Sequence, residues 1–302
     1  MSATTRPRRS MLFMPGQNER ALAKAGTLAA DSVVFDLEDA TAPDAKPAAR
    51  NAVVERLRAG GLAPREVLVR INALDTPWGP ADLDALATAG ADGIVLPKVE
   101  SPDVITDAGR RLDTLGAPPG LAIWCMVETP MGVLNVRELA AVAAVGGGRL
   151  AGLIMGTQDL AKDLHVNDTA DRLPMVVALG TCLIAARAYG IVVIDGIHAD
   201  LTDAAGLEAV CRQGADLGFD GKSLIHPKQI DAANAAFAPS SEAVDRARRI
   251  IAAHSEAIRD GRGVTVVDGR LIESLHVTEA QRLVALAEAI GKIGKAGGQG
   301  HS

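Results

Sequence analysis

Charged and polar side chains follow several of the short apolar runs in this sequence, at the point where each run ends. The residues at these ends are Asp36, Glu38, Asp39, Arg70, Asn72, Lys98, Glu128, Gln158, Asp159 and His226. If the runs are parallel strands of one barrel, these side chains meet at the end of the barrel where active sites lie. Carboxylates gathered around one Arg and one Lys are costly unless a cation neutralises them. The pattern therefore predicts a metal and substrate site.

Two of these carboxylates have the properties of magnesium ligands. Glu128 and Asp159 follow neighbouring apolar runs. Ligation by two carboxylates, water and substrate oxygens is typical of Mg²⁺ rather than Zn²⁺. Taken singly, an acidic residue after a strand is more often a helix N-cap or a turn former. The joint pattern favours a metal site with Glu128 and Asp159 as its ligands.

Arg70 ends a mostly apolar run, which disfavours the alternative of a surface salt bridge. A guanidinium at this point can hold a carboxylate or carbonyl oxygen and stabilise an enolate. We therefore predict catalytic and substrate-binding roles for Arg70, with Glu38 and Lys98 as further substrate-binding residues.

The elements that must position these residues are eight apolar runs that alternate with stretches of helical periodicity. Most runs are continuous and β-branched, as in parallel strands covered on both faces. They cover residues 10–14, 32–37, 66–71, 93–96, 121–127, 151–155, 191–194 and 218–225. Eight strand–helix pairs predict an α/β fold, a (β/α)8 TIM barrel, over residues 1–238. The alternative is a doubly wound open sheet, which usually has a Gly-rich phosphate turn after its first strand; residues 15–18, Pro-Gly-Gln-Asn, lack that pattern.

The pattern changes after residue 238. A helix over 242–259, a hairpin turn at Asp268 and Gly269, and a last helix over about 277–292 predict a C-terminal helix–hairpin–helix extension, residues 239–293. We expect this extension to be too small for a core of its own and to pack on its own barrel or on a neighbouring subunit. The Gly-rich segment 294–302 is expected to be disordered.

Composition excludes several classes of protein. The chain has 31 basic and 37 acidic residues, a net charge of −6 and only 2% aromatic residues, which disfavours nucleic acid and anionic membranes as partners. No apolar run reaches the roughly 18 residues of a membrane span, and the N-terminus does not have the pattern of a signal peptide. Three distant cysteines, Cys125, Cys182 and Cys211, show no zinc or disulfide spacing. We expect a cytoplasmic protein.

Seven segments resemble, in order, those of the citrate lyase beta subunit-like family, relatives of malyl-CoA lyase among the pyruvate-binding TIM barrels. They are RRSMLFMPG (8–16), VVFDLEDATAPDAKPAAR (33–50), VRIN (69–72), VLPKVES (95–101), VETPMGVLN (127–135), GTQDLAKDL (156–164) and GFDGKSLIHPKQI (218–230). The resemblance implies a magnesium-dependent carbon–carbon lyase. Its substrate would be a 3-hydroxyacyl-CoA thioester such as malyl-CoA or citramalyl-CoA, cleaved into acetyl-CoA and a 2-keto acid or formed from them.

The resemblance also implies roles for individual residues. The metal-binding Glu and Asp of the family match Glu128 and Asp159, and its substrate-binding arginine matches Arg70. Coenzyme A contacts are implied in the region of Lys46 and Arg50, which lie one helical turn apart; the alternative for these two is a solvated helix face.

The C-terminal segment departs from the family pattern. The acid/base aspartate of the family reaches a neighbouring subunit's active site, and the matching residue is Glu273. The extra methylene can move the reacting oxygen by about 1 Å, which can cost roughly 10²-fold in rate; Asp268 is a nearby alternative acid. The resemblance thus implies Glu273 as a catalytic residue and favours a homotrimer with shared active sites.

Two other functions stay open on the sequence alone. One is that of a citrate lyase beta subunit acting on citryl-acyl carrier protein. The other is that of a non-catalytic protein that binds a CoA thioester or a keto acid, which the presence of Glu273 keeps open.

Overall fold

The computed structural model describes residues 6–145, 148–167 and 169–298. Eight parallel strands close into a barrel in sequence order, with the first strand paired to the eighth. The strands are β1 (Ser10–Pro15), β2 (Ser32–Asp36), β3 (Glu66–Arg70), β4 (Gly93–Leu96), β5 (Ala122–Val127), β6 (Leu150–Met155), β7 (Val192–Asp195) and β8 (Gly221–Leu224). Each predicted run forms one strand, so the predicted barrel is confirmed.

Helices follow the strands. Those of the barrel are α1 (Glu19–Lys24), α2 (Lys46–Arg58), α3 (Gly79–Leu86), α4 (Pro102–Thr114), α5 (Pro130–Leu134), α6 (Val136–Ala141), α7 (Thr157–Asp163), α8 (Val176–Ala188), α9 (Ala204–Leu217) and α10 (Ile230–Ala236). Side-chain caps mark several of their starts: Thr129 accepts from the Gly132 N–H at 3.0 Å, and Asp203 accepts from the Gly206 N–H at 2.8 Å. No helix among the described residues is both long and apolar enough to cross a membrane.

Side chains alternate between the two faces of each strand. The inward positions fill the barrel with one apolar cluster: Met11, Val34, Leu68, Val95, Trp124, Met126, Ile154 and Ile194. A larger apolar layer that includes Val33, Phe35, Val69 and Val127 packs the other strand faces and the helices. Positions two residues beyond the inward cluster therefore also face the barrel interior, at the carboxyl end of the strands.

The chain divides into two compact units, Arg8–Phe237 and a smaller one that contains the segment from Ala238 onward. The smaller unit contains α11 (Ser241–Arg259), an antiparallel hairpin of β9 (Thr265–Val267) and β10 (Arg270–Ile272), and α12 (Ser274–Gly298).

The smaller unit differs from the sequence expectation in two respects. It has a small core of its own, Ala247, Ile250, Val267, Ile272 and Ala280, because α11 supplies an apolar face that the hairpin and α12 cover. In addition, α12 runs through Gly298, into the segment 294–302 that was expected to be disordered. Residues 299–302 lie outside the described part of the chain.

Candidate metal and substrate site

A cavity of about 390 Å³ lies at the carboxyl end of the barrel strands. Polar and charged groups share its wall with apolar side chains such as Phe13, Met126 and Ile197. The charged residues that line it are Asp36, Asp39, Arg70, Glu128 and Asp159. The predicted convergence of strand-end residues is therefore observed for Arg70 and for both predicted metal ligands.

Strand register explains why Asp36 and Arg70 face each other. They are paired positions at the ends of β2 and β3, and each lies two residues beyond an inward apolar side chain, Val34 or Leu68. Arg70 Nε donates to Asp36 Oδ1 at 2.7 Å and Nη2 donates to Oδ2 at 2.6 Å. This two-point fork fixes the plane of the guanidinium.

The remaining guanidinium nitrogen of Arg70, Nη1, lies among further polar atoms. It is 2.8 Å from Glu38 Oε2 and 3.3 Å from Asp39 Oδ2. Burial alone would lower the pKa of Arg70, but the hydrogen bonds to Asp36 and the charges of the three carboxylates raise it. Arg70 is thus a permanent, oriented cation at the cavity wall.

Glu38 and Lys98, the other predicted substrate-binding residues, form an ion pair. Lys98 Nζ lies 2.5 Å from Glu38 Oε1. Burial raises the pKa of Glu38, against the opposing charges of Arg70 and Lys98. Burial would lower the pKa of Lys98, but the hydrogen bond to Glu38 and the nearby carboxylates raise it. Both side chains are committed to this network, and neither lines the cavity directly.

Glu128 follows the last residue of β5 and is 1% exposed. Burial raises its pKa to about 7, although the backbone N–H of Lys98 donates to Oε1 at 2.7 Å and the charge of Arg70 also favours the carboxylate. Gly156 packs directly on this side chain: a Cβ at Gly156 would lie 2.4 Å from Glu128 Oε2. Only glycine permits this approach, so the end of β6 is held tightly against Glu128.

Asp159 lies in the first turn of α7, three residues after Gly156. Its side chain is half-buried and accepts no hydrogen bond from the described residues. Nowhere in the described ranges do three or more His, Cys, Asp or Glu side chains gather to hold a metal ion. Among the described residues, the buried Glu128 carboxylate has no close ion pair and the Asp159 carboxylate has no hydrogen-bond partner. Two such carboxylates in one cavity fit a hard cation that takes its other ligands from water and substrate.

Lys46, predicted to contact coenzyme A, has a different position. Its ammonium is buried and donates to Leu37 O at 3.0 Å, Glu38 O at 2.8 Å and Asn72 Oδ1 at 2.6 Å. Because all three N–H groups are used inside the protein, Lys46 has no donor left for a phosphate. It stabilises the chain segment after β2 instead.

Arg50 belongs to the same network. Its Nε donates to Asp82 Oδ1 at 2.9 Å, and the other oxygen of this fully buried carboxylate accepts from Asn72 Nδ2 at 2.6 Å. Arg50 is thus tied through Nε to a structural carboxylate. Asp36 was expected at this end of the barrel from its place after an apolar run, whereas Asp82, inside α3, carried no sequence signal.

Glu273 lies between β10 and α12, in the smaller unit, and is exposed. Its backbone N–H donates to His276 Nδ1 at 3.0 Å. Asp268, the alternative acid, lies 2.9 Å from Arg249 Nη2, and the hydrogen bond from Arg249 lowers its pKa. The lowered pKa keeps Asp268 ionised and paired with Arg249, which disfavours it as a proton donor.

Comparisons with known proteins agree with these features. Residues 9–227 match the HpcH/HpaI aldolase/citrate lyase family. The chain is 47% identical over 291 residues to a (3S)-malyl-CoA thioesterase of Cereibacter sphaeroides strain ATCC 17023, covering 96% of this chain and 98% of that protein. It is 34% identical over 292 residues to the citrate lyase subunit beta of Escherichia coli strain K12, covering 95% of each.

A solved structure is also similar. The crystal structure of CitE from Mycobacterium tuberculosis in complex with magnesium, acetoacetate and coenzyme A superposes with a TM-score of 0.73 at 33% identity. The match covers 95% of this chain and 100% of that one.

Proposed function

The chain belongs to the HpcH/HpaI aldolase/citrate lyase family, and we infer that it is a magnesium-dependent carbon–carbon lyase acting on a 3-hydroxyacyl-CoA thioester. Malyl-CoA and citramalyl-CoA are the substrates we propose. The observation that carries this function is the meeting of Glu128, Asp159 and Arg70 in one cavity at the carboxyl end of the barrel. The magnesium and coenzyme A bound to a relative of the same fold support it.

We assign Glu128 and Asp159 as the residues that hold Mg²⁺. Bound there, the ion supplies a Lewis acid that polarises the carbonyl of the 2-keto acid. The protein presents the two carboxylates on neighbouring elements: Gly156, just before the turn that carries Asp159, packs directly against the side chain of Glu128.

Arg70 acts on the acyl-CoA half of the substrate. Cleavage of malyl-CoA breaks the bond between C2 and C3: the 3-hydroxyl gives its proton to solvent water to leave glyoxylate, and the electron pair of the broken bond passes to the thioester as an enolate. The oriented guanidinium of Arg70 stabilises that negative charge. A carboxylic acid then protonates the enolate carbon to give acetyl-CoA; we assign this role to Glu273 of a neighbouring subunit.

Coenzyme A needs cations other than Lys46. A second cavity, of about 280 Å³, shares Phe13, Met14, Pro15 and Ile225 with the wall of the first. Arg20 and Lys24, one turn apart on α1, line it and are exposed. We assign the phosphates of coenzyme A to these two side chains, with the pantetheine arm passing along the shared wall.

Thioester hydrolysis is a second candidate, favoured by the 47% identity to proteins named (3S)-malyl-CoA thioesterase. Hydrolysis adds water across the thioester of malyl-CoA and gives malate and free coenzyme A. The two reactions thus differ in whether a free thiol or an oxo acid is released.

Incubation of the protein with malyl-CoA and Mg²⁺ tests both candidates. Phenylhydrazine detects glyoxylate and a thiol reagent detects free coenzyme A. Glyoxylate without thiol supports the lyase; thiol without glyoxylate supports hydrolysis and overturns the lyase. Both candidates are overturned if malyl-CoA gives neither glyoxylate nor thiol and citramalyl-CoA gives neither pyruvate nor thiol. Glu128→Ala is the control that must lose the metal-dependent product.

We further propose a homotrimer with shared active sites, in the cytoplasm. Several exposed apolar side chains of the smaller unit, Val264, Val266, Leu271 and Leu275, are 45–64% exposed and suit burial against another subunit. The three cysteines are buried and free, as is usual in a reducing compartment.

A further inference from the structure

A buried ion cluster at β7 and β8 lies outside the chemistry described so far. Asp195, at the end of β7, and Lys222, on β8, are both completely buried. Lys222 Nζ lies 3.0 Å from Asp195 Oδ2, and Arg172 Nη1 lies 2.8 Å from both oxygens of the same carboxylate. None of the three lines the main cavity.

A contribution to the stability of the fold does not explain why these three charged residues are buried together. Buried ion pairs stabilise a fold little, because desolvation of the charges offsets their attraction, and apolar side chains of similar volume often serve as well. Arg172 in addition has a left-handed backbone, with φ of 52°, a conformation that side-chain-bearing residues adopt at a cost.

The cluster binds both polar backbone groups of Gly196, the residue after β7. Lys222 Nζ donates to Gly196 O at 2.6 Å, and the Gly196 N–H donates to Asp195 Oδ1 at 2.8 Å. Gly196 therefore cannot shift along the strand or rotate its peptide planes without breaking a buried, charge-assisted hydrogen bond.

Gly196 in turn lies against Thr157, the first residue of α7. A Cβ at Gly196 would lie 2.3 Å from Thr157 Oγ1 and 2.4 Å from Cγ2. Thr157 is buried, and Asp159 follows it by two residues in the same helical turn. Gly156, which comes just before this turn, packs against the side chain of Glu128.

Asp159 itself has no side-chain partner among the described residues, so its place depends on the backbone that carries it. We propose that Lys222 and Asp195 are positioning residues of the metal site: by fixing Gly196 against Thr157, they set the start of α7 and thereby the distance between Asp159 and Glu128. This rests on the proposed function, in which those two carboxylates hold Mg²⁺.

Mg²⁺ binding, measured by titration calorimetry without substrate, tests the proposal. Gly196→Ala places a methyl against Thr157 and is expected to raise the Kd for Mg²⁺ about tenfold, the usual size of such supporting effects. Gly180→Ala is the matched control, since its added methyl meets nothing within 4 Å, and it should leave the Kd unchanged.

A compensating change shows whether the effect passes through Thr157. Thr157→Ala removes the two nearest atoms that the new methyl meets, Oγ1 and Cγ2, and leaves only Cβ, at 2.8 Å. In a Thr157→Ala background the Gly196→Ala change should therefore raise the Kd by a smaller factor than in the wild-type background. Non-additivity of this kind is the mark of direct coupling between two residues. Lys222→Met, which keeps the volume but removes the bond to Gly196 O, should weaken Mg²⁺ binding like Gly196→Ala.

The outcomes separate this proposal from the function it rests on. Wild-type protein that binds no Mg²⁺, or a Glu128→Ala variant that binds it normally, overturns the metal assignment and the inference with it. Normal wild-type binding with an unchanged Kd in Gly196→Ala or in Lys222→Met overturns the positioning role alone. Should Gly196→Ala fail to fold, the double variant and Lys222→Met decide. Circular dichroism confirms that each compared variant is folded.

Discussion

The backbone N–H of Lys98 donates a 2.7 Å hydrogen bond to Oε1 of Glu128. Lys98 has a left-handed backbone, with φ of 48°, and lies two residues after the end of β4. One oxygen of Glu128 is thereby held by the neighbouring strand end, while Oε2 accepts no hydrogen bond from the described residues. Lys98 thus has a strained backbone and orients the carboxylate of Glu128 through its N–H. Strained backbone conformations of this kind are common at functional sites.

Separate substitutions can distinguish the backbone and side-chain roles of Lys98. Lys98→Gly tolerates a positive φ, so it keeps the N–H on Glu128, whereas Lys98→Ala keeps the strain. Both lose the ion pair with Glu38. We expect the glycine variant to be about 1 kcal/mol more stable than the alanine variant in urea unfolding. A less stable glycine variant would show that the backbone strain is unimportant.

The raised pKa of Glu128 predicts how magnesium affinity depends on pH. Its pKa is about 7, raised by burial, and the ion binds only the ionised form. From pH 8 to pH 6 the apparent affinity should fall about tenfold, with a slope that approaches tenfold for each pH unit below pH 6, and above pH 8 it should be nearly constant. Calorimetry at pH 6, 7 and 8 measures this slope. Glu128→Gln should bind weakly at every pH, while the surface change Glu138→Gln should keep the wild-type slope.

The same shift predicts the stability of the metal-free protein. In the unfolded chain Glu128 loses its proton near the ordinary glutamate pKa of 4.5, whereas the folded group keeps it until about pH 7. Because the folded state binds more protons in this window, stability falls as pH rises from 4.5 to 7. At pH 8 without metal, Glu128→Gln should therefore be about 1–3 kcal/mol more stable than wild type in urea unfolding. A variant less stable than wild type under these conditions contradicts the assigned pKa.

The sequence predicts best those residues whose side-chain position follows from the alternation of side chains along a strand. Asp36, Arg70 and Glu128 follow parallel strands, and alternation of side chains with ring closure brings them to one cavity. The ends of the apolar runs are therefore enough to predict that these three side chains converge. Asp159 follows from the same rule, because a strand end and the first helical turn after it are only a few residues apart.

Residues on the surrounding helices are harder to predict, because their reach depends on how each helix packs. The spacing of Lys46 and Arg50 shows that they share a face of α2, but whether that face meets solvent or the strand ends is a tertiary property. Lys46 is drawn inward by the carbonyls of Leu37 and Glu38. Arg50 is drawn to Asp82 on α3. Likewise, the core of the smaller unit depends on how the apolar face of α11 meets the hairpin and α12, which is also a tertiary property.

The two-point contact between Arg70 and Asp36 predicts the effect of Arg70→Lys. A lysine keeps the charge but cannot satisfy both oxygens of the buried carboxylate. We expect turnover to fall at least 100-fold and the free energy of unfolding to fall by about 1–3 kcal/mol. Arg111 forms the same fork with Asp84, at 2.9 and 2.7 Å, on an exposed face; Arg111→Lys is the control and should change neither quantity appreciably. Normal turnover in Arg70→Lys would remove Arg70 from the mechanism.

The charges on α1 predict how coenzyme A is bound. Replacing both Arg20 and Lys24 with Ala should raise KM for the CoA thioester at least tenfold, the loss expected for one charge-assisted hydrogen bond, while kcat stays within twofold. The double change Arg110→Ala and Arg137→Ala, at two exposed helical arginines, is the control for net charge. Lys46→Met should instead lower the stability to urea and leave KM near the wild-type value. An unchanged KM in the α1 variant would place the phosphates elsewhere.

The position of Glu273 predicts complementation between two inactive proteins. Its carboxylate is exposed, on a unit with its own small core and an exposed apolar surface. If that unit serves a neighbouring barrel, a site combines the Arg70 of one chain with the Glu273 of another. Arg70→Ala and Glu273→Ala proteins are each expected to be inactive. After subunit exchange in a 1:1 mixture, a barrel with intact Arg70 meets a tail with intact Glu273 in about a quarter of all sites. We therefore expect the mixture to have about a quarter of the wild-type activity. Mass labelling shows whether subunits have exchanged. If exchange occurs without recovery of activity, or if light scattering shows a monomer, each C-terminal unit serves its own barrel.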